Sequence, residues 1–448
     1  MNILLISPNT LTVPYPVYPI GLDYVAGAIP AGHQVRIADR NILSLAGLAE
    51  ILRDFAPEII GLSCRNIDNT EAGDPLFFID AYRSLVAWLR ERTPALLVCG
   101  GSGFTIMPER VFAALGVDYG VAGEGERFGL LVDAVARGQD PARIPGIISA
   151  AGPAAPAGPW TGGQLRKFQA DATHVPFYLN KGGMLNLQSK RGCAFRCLYC
   201  PYPHIEGKKH RLLPPAEVAK TARELQEAGA RYLFVTDSAF NSDISHSLAV
   251  ARAFQDMGIS IPWGGFFAPL RLPADYFSRM AEAGLKHVEF GTESMSPPML
   301  AMYRKPFGVD DVFAAHRQAR DAGLHVAHYF LLGGPGESPE TVSQSLEHIE
   351  RLDRTVLFFF IGIRIYPHTA LYDIALAEGK IDKEVDLLRP VFYQADAIDR
   401  DAIEAMVTAR AGRRANWLIG SGGAKSTDAV RRMYDRGHTG PLWEYLSR

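Results

Sequence analysis

The sequence predicts an α/β chain with two structured units. Residues 1–150 form a doubly wound, flavodoxin-like parallel sheet, and residues 184–380 an open, partial (β/α)6 barrel. A small helical segment, 381–448, follows the barrel. Three observations carry this prediction. Short apolar runs alternate with helix-period stretches through both units, the pattern of parallel sheets covered by helices. Residues 151–183 separate the units; they begin within a stretch of Ala, Pro and Gly (150–159) that has no period and reads as a connector. The predicted strands end on Gly, Cys or charged clusters, as expected where a site forms at one rim.

In the first unit the strands read 2–7, 33–39, 58–63, 95–100 and 117–123. Helices are predicted at 20–29, 44–55, 75–91, 108–115 and 126–137. The fourth strand runs into Gly100, Gly101 and Ser102, and the fifth into Gly123, Glu124 and Gly125. Glycine there allows tight turns or close backbone approach to a ligand. Cys99 reads as a small core residue, while Cys64 and Arg65 follow the third strand at the ligand edge.

In the second unit strands are predicted at 184–190, 231–236, 260–265, 286–291, 324–332 and 355–366, with helices between them. Phe358, Phe359 and Phe360 read as buried strand. The C-terminal segment is expected to cover the open side of the barrel, with Tyr393 and Trp443 either packing there or lining the substrate site.

Composition excludes several classes. The net charge of −2 gives no bulk attraction to nucleic acid or anionic membrane. The N-terminus lacks a signal-peptide pattern and no apolar run is long enough for a transmembrane segment, so a cytoplasmic protein is expected. Five cysteines in 448 residues are too few for a disulfide framework.

Three of those five, Cys193, Cys197 and Cys200, stand in the spacing C-x3-C-x2-C directly after the first barrel strand. Thiolates suit iron–sulfur clusters and zinc, and either normally takes four protein ligands. Three leave one position open. Zinc with His204 or His210 as fourth ligand is the alternative.

This spacing, with Tyr199 before the third cysteine, resembles the radical S-adenosylmethionine (SAM) superfamily. The order of pieces in residues 1–150 resembles the Rossmann-like cobalamin-binding domain that precedes many radical SAM cores. The resemblance implies that Cys193, Cys197 and Cys200 hold a [4Fe-4S] cluster whose free iron chelates SAM. It implies SAM contacts at Tyr199, Asp237, Glu293, Ser294, Arg304 (or Lys305 beside it), Gly333 and Gly334, and cobalamin contacts at Gly100, Gly101, Ser102, Gly123, Glu124 and Gly125. Many cobalamin proteins place a histidine below the cobalt within Asp-x-His-x-x-Gly. No such motif occurs here, because His438 has the wrong spacing, so no lower-face histidine from it is expected.

The implied activity is methylation of an unactivated carbon in a small molecule or a natural-product or lipid precursor, through a 5′-deoxyadenosyl radical and methylcobalamin. A flavodoxin- or ferredoxin-type carrier would supply the electron. The alternative is a non-methylating radical reaction, such as ring formation, ring contraction or carbon–carbon coupling, on the same architecture. No side chain need act as acid or base; His328, on the fifth barrel strand, is the candidate for contact with substrate.

Overall fold

The computed structural model describes every residue except 13–14, 154, 164–165, 422 and 448, and the side chains of 423–427. The first sheet contains β1 (Asn2–Ser7), β2 (Gln34–Asp39), β3 (Ile59–Ser63), β4 (Leu96–Gly100), β5 (Tyr119–Val121), β6 (Ile147–Ser149) and β7 (Gly152–Pro153). Its order is β2-β1-β3-β4-β5-β6-β7. The first five strands are parallel, and β6 and β7 add an antiparallel edge. Both faces are covered. Leu4, Ile6, Ile60 and Leu62 pack on one side with helices Leu45–Phe55 and Ile79–Arg90, while Ile3, Leu5 and Ile59 face helices Ile20–Ala28 and Arg127–Ala136 on the other. A helix at Ser102–Ile106 interrupts the turn that the glycines predicted.

The second unit has β8 (Met184–Leu187), the short pair β9 (Lys190–Arg191) and β10 (Arg211–Leu212), then β11 (Tyr232–Val235), β12 (Trp263–Phe267), β13 (Leu285–Glu293), β14 (His325–Leu332) and β15 (Thr355–Ile361). β16 (Ile363–Arg364), β17 (Phe392–Tyr393) and β18 (Trp417–Ile419) follow. The large sheet runs β18-β15-β14-β13-β12-β11-β8, parallel throughout. The predicted long last strand breaks at Gly362, whose φ of +87° turns the chain into β16.

Alternation along these strands separates inside from outside. Leu185, Leu187, Leu233, Val235, Val288, Phe290 and Val326 point outward, into a core shared with helices Pro215–Glu227, Ile244–Met257 and Val309–Asp321. Their neighbours Phe234, Phe266, Glu289, Tyr329, Phe358 and Phe360 therefore point into the lumen.

The C-terminal segment does more than cover one side. β18 extends the sheet beyond β15, and the turn Leu442–Leu446 seals the barrel floor. There Trp443 Nε1 donates to Glu289 Oε1 at 3.0 Å, and Glu444 accepts from Tyr232 at 2.6 Å. Trp443 thus borders the lumen, while Tyr393 is buried with its hydroxyl on Glu378.

Buried ion pairs tie the two units together. Arg364 Nε, after β15, lies 2.8 Å from Asp68 Oδ2, after β3, with side-chain exposures of 3% and 0%. Arg166 pairs with Asp23 at 2.9 Å and donates to Asn186 O. A buried ion stranded without its partner costs about 3–5 kcal/mol. Asp68→Ala is therefore expected to lower the thermal unfolding midpoint sharply, whereas Asp68→Ala combined with Arg364→Met recovers much of the loss. Equal midpoints for the two variants would contradict this role.

Candidate cofactor and substrate site

Two buried constraints shape the cysteine loop. Lys190, in β9 three residues after β8, sends its ammonium to Asp237 Oδ2 at 2.9 Å and to the carbonyls of Ala239 and Phe240. Ser189 donates to the same carboxylate from its backbone N (2.8 Å) and its hydroxyl (2.5 Å). Gly192 has φ +84°, and a Cβ there would stand 2.1 Å from Lys209 O, so only glycine fits. Cys193 N donates to Gly207 O, and Leu198 N to Tyr303 O, both at 3.1 Å.

The three cysteines are free and lie near enough that the charge of each bears on another. Burial pushes all three thiols up, Cys200 to about 12. A cluster would take them as thiolates and release their protons. The zinc alternative finds no fourth ligand: His204 stacks on His368 at 4.3 Å, and His210 lies 3.1 Å from Ser242 Oγ. Among the described residues, no group of three or more His, Cys, Asp or Glu converges tightly enough for a single metal ion. A four-iron cluster takes one thiolate per corner, so three thiolates serve three corners and leave the fourth iron free.

Beside the cysteines stands a polar group that the sequence indicates only in part. Tyr199 donates to Glu293 Oε1 at 2.7 Å. Lys305 Nζ lies 3.3 Å from the same oxygen and 3.7 Å from Cys197 Sγ. Burial pulls the Lys305 pKa down, but Glu293 and Cys197 outweigh it and hold the ammonium above its ordinary value. Glu293 has φ +66°, a conformation rare outside glycine, which aims its carboxylate back toward the loop. Ser238 Oγ, after β11, is buried without a partner and is open to a ligand.

Several predicted contacts face elsewhere. Asp237 is committed to Ser189 and Lys190, so it braces the loop. Arg304 is exposed, with φ +56°, and Lys305 takes the inward position. Ser294 Oγ lies 3.0 Å from Ser345 Oγ, against helix Pro339–Ile349. The missing side chains of Gly333 and Gly334 make room for Gln394 and Tyr303, where added Cβ atoms would meet 2.7 and 2.5 Å contacts. Glu337 holds that turn by accepting from Gly333 N and Tyr303 Oη. His328 lies outside the barrel, not in the lumen: its Nδ1 is 2.7 Å from Thr292 Oγ1 and its Nε2 is 3.1 Å from His316. Odd–even alternation turns Tyr329 inward in its place.

At the facing edge of the first sheet, Gly101 packs against Cys64 O and Gly103 against Arg65 O, with hypothetical Cβ contacts of 2.7 and 2.9 Å. Ser102 Oγ donates to Arg65 O at 2.8 Å. These groups serve the turn's own packing. Val121 O is 3.2 Å from where a Gly100 Cβ would stand, and Gly123 N donates to Thr105 Oγ1 at 3.0 Å. Gly125 has room only for hydrogen beside Val25. The Glu124 carboxylate pairs with Arg191 and Arg211, which flank the cysteine loop, and Arg191 also pairs with Glu126 at 2.7 Å. Cys64 and Cys99 are both buried in the sheet core. His438 lies far along the chain, 3.0 Å from Tyr445 Oη.

Between these edges, the short helix Tyr202–Ile205 that follows the cysteine loop packs against helix Ser102–Ile106 of the first unit. Tyr202, on that helix, is 39% exposed, and desolvation raises the pKa of its phenol. Half-buried Arg65 faces the same surroundings with no ion-pair partner among the described residues; burial lowers its pKa. The lumen continues below. Phe266 is 39% exposed, Tyr329 stacks on Phe358 at 4.7 Å, and Tyr15 from the first unit reaches Phe234 at 6.0 Å. Phe358 and Phe360 thus form an aromatic wall where buried strand was expected, and Phe359 alone joins the outer core. Glu289, held by Tyr329 at 2.9 Å and by Trp443, is the buried carboxylate of this lumen; burial raises its pKa.

Comparison with known proteins matches residues 187–349 to the Radical SAM superfamily and residues 6–129 to the B12 binding domain. A tryptophan 2-C-methyltransferase from Streptomyces laurentii is 26% identical, over 83% of this chain and 74% of the relative. A cytidylyl-2-hydroxyethylphosphonate methyltransferase from Streptomyces wedmorensis is 24% identical, over 88% of this chain and 85% of the relative. Among solved structures, the methyltransferase TsrM from Kitasatospora setae, with cobalamin and a [4Fe-4S] cluster bound, superposes with a TM-score of 0.87 at 23% identity, over 100% of this chain and 97% of that one. The same enzyme has been solved with tryptophan substrate and a SAM analogue. The cobalamin-dependent radical enzyme OxsB gives a TM-score of 0.73 at 14% identity, over 90% of this chain and 65% of that one.

Anaerobic reconstitution with iron and sulfide is expected to give a brown protein. Cys197→Ala should lose the visible band and the bound iron, while Cys64→Ser and Cys99→Ser keep both. An undiminished iron content in Cys197→Ala would refute the ligand assignment.

Proposed function

Because this chain belongs to the radical SAM enzymes that carry an N-terminal B12 binding domain, we propose that it is a cobalamin-dependent methyltransferase acting on a carbon of a small organic substrate in the reducing cytoplasm. One observation carries this reading. The carboxyl edge of the first sheet faces the cysteine loop across buried ion pairs, so a corrin at the one and a cluster at the other would face each other. Bound there, the cluster with SAM supplies a radical oxidant for an unactivated C–H bond, and the corrin supplies a carrier for the methyl group.

The chain's own residues bind, orient and exclude water. Cys193, Cys197 and Cys200 ligate the cluster. Tyr199 and Glu293 border the SAM nucleoside, and Lys305 receives the methionyl carboxylate, the role first offered to Arg304. The backbones at Gly100–Ser102 and Gly123–Gly125 line the corrin edge. The aromatic lumen seats the substrate: Phe266, Tyr329, Phe358 and Phe360 suit a flat apolar body, with Glu289 as acceptor for a hydrogen-bond donor. Electrons come from an external flavodoxin- or ferredoxin-type carrier.

Two experiments test this. Reduced protein loaded with cluster and cobalamin, given SAM deuterated in its methyl group, should return cobalamin carrying the labelled methyl by mass spectrometry. Cobalamin that stays unlabelled, or fails to co-elute with the protein, sinks the methyltransferase reading. Lys305→Met should weaken SAM binding about tenfold in equilibrium dialysis, and Arg304→Ala should leave it unchanged. The reverse ranking would reassign the carboxylate contact.

A further inference from the structure

Four exposed cations sit in the cysteine loop or on the backbone that bonds to it. Arg196 lies within the loop itself. Lys208 and Lys209 follow Gly207, whose carbonyl takes the Cys193 N–H, and Lys209 O packs directly against Gly192. Arg304 follows Tyr303, whose carbonyl takes the Leu198 N–H. All four are exposed. None has an ion-pair partner among the described residues, although many other surface arginines and lysines of this chain do, such as Arg83, Arg252 and Lys380. The nearest carboxylate on the same segment, Glu206, turns inward to accept from Gly192 N at 3.1 Å. Leu212, on the adjoining β10, is 45% exposed beside them.

These four leave the segments around the cysteine loop with unpaired positive charge although the chain's net charge is −2. Unpaired cations at a rim contribute little to stability. They do steer a partner of opposite charge toward the surface they mark. Encounters between redox proteins are small, and a charged rim around a minor apolar centre serves them. We propose that Arg196, Lys208, Lys209 and Arg304 form the docking surface for an acidic one-electron carrier, which reduces the cluster held by the cysteine loop. The inference rests on the cluster reading above. In the transfer the carrier is oxidised by one electron and the cluster reduced by one, and no atom moves. The position is economical, since each cation sits on the backbone that holds Cys193 or Cys197, so a carrier docked there is separated from the cluster by the loop alone.

The test uses cluster-loaded protein and two reductants, flavodoxin hydroquinone and reduced methyl viologen, a small cation. Stopped-flow bleaching of the cluster absorbance is read in wild type, in K208E/K209E and in K208E/K209E/R304E. With flavodoxin the rate should fall about tenfold or more in the variants and lose its dependence on ionic strength. With viologen it should hold or rise. Titration with oxidised flavodoxin at low salt should show a matching loss of affinity, a readout independent of cluster loading. An unchanged flavodoxin rate and affinity in the triple variant would overturn the docking surface. Reduction of the wild-type cluster by viologen reports separately on the cluster reading.

Discussion

The structure depends on one buried guanidinium. Arg191 stands two residues before Cys193, with its side chain 8% exposed. It is held between Glu124 and Glu126 of the first unit, and its guanidinium lies 4.7 Å from the Tyr24 ring. An arginine taken this far out of water is tolerable only with its charge and donors matched. Both acids come from the turn after β5, the edge where an open α/β sheet places its ligand. The contact therefore fixes the cluster loop against the corrin edge, and Arg211 on the other side of the loop repeats it. Asp68 with Arg364 and Asp23 with Arg166 fasten the rest of the interface.

That constraint explains why the site's polar groups divide into two kinds. Some are spent on holding loops: Lys190 with Asp237, Glu337 with the Gly333 turn, Ser102 with Arg65 O. Others stand beside the cysteine loop uncommitted to its backbone: the three free thiols, the Lys305–Glu293–Tyr199 group and the unpartnered Ser238 hydroxyl. A radical reaction needs its reactants placed and water kept out, and both follow from rigid loops around an enclosed space. The floor made by Trp443 and Glu444 closes that space from below, so the C-terminal segment sets the depth of the lumen.

Much of this was legible in the sequence. The strand–helix alternation gave both sheets, and the cysteine spacing gave the loop, because each is a local pattern. The break at Gly362, where φ is +87°, interrupts the single strand read over 355–366, because a glycine inside an apolar run gives no local sign of a turn. What stayed hidden depends on partners distant in the chain. Asp237 at a strand end reads alike whether it meets a ligand or Lys190. His328 lies on a strand apolar on both faces, where alternation gives no sign of which side is in; the inward position suited to substrate contact belongs to Tyr329. Arg304 and Lys305 are adjacent cations, and only the left-handed turn at 304 decides which one enters. Glu124, in a glycine turn, suggested a ligand contact, yet its carboxylate meets two arginines that no local pattern connects to it.

The central claim is that cluster and corrin face each other at a fixed separation set by the Arg191 contact. Electron paramagnetic resonance of protein carrying both a reduced cluster and cob(II)alamin tests it most directly. The account predicts that the two paramagnets perturb each other, broadening or splitting both signals relative to protein loaded with either one alone. Two signals that simply add, each unchanged by the other, would contradict it.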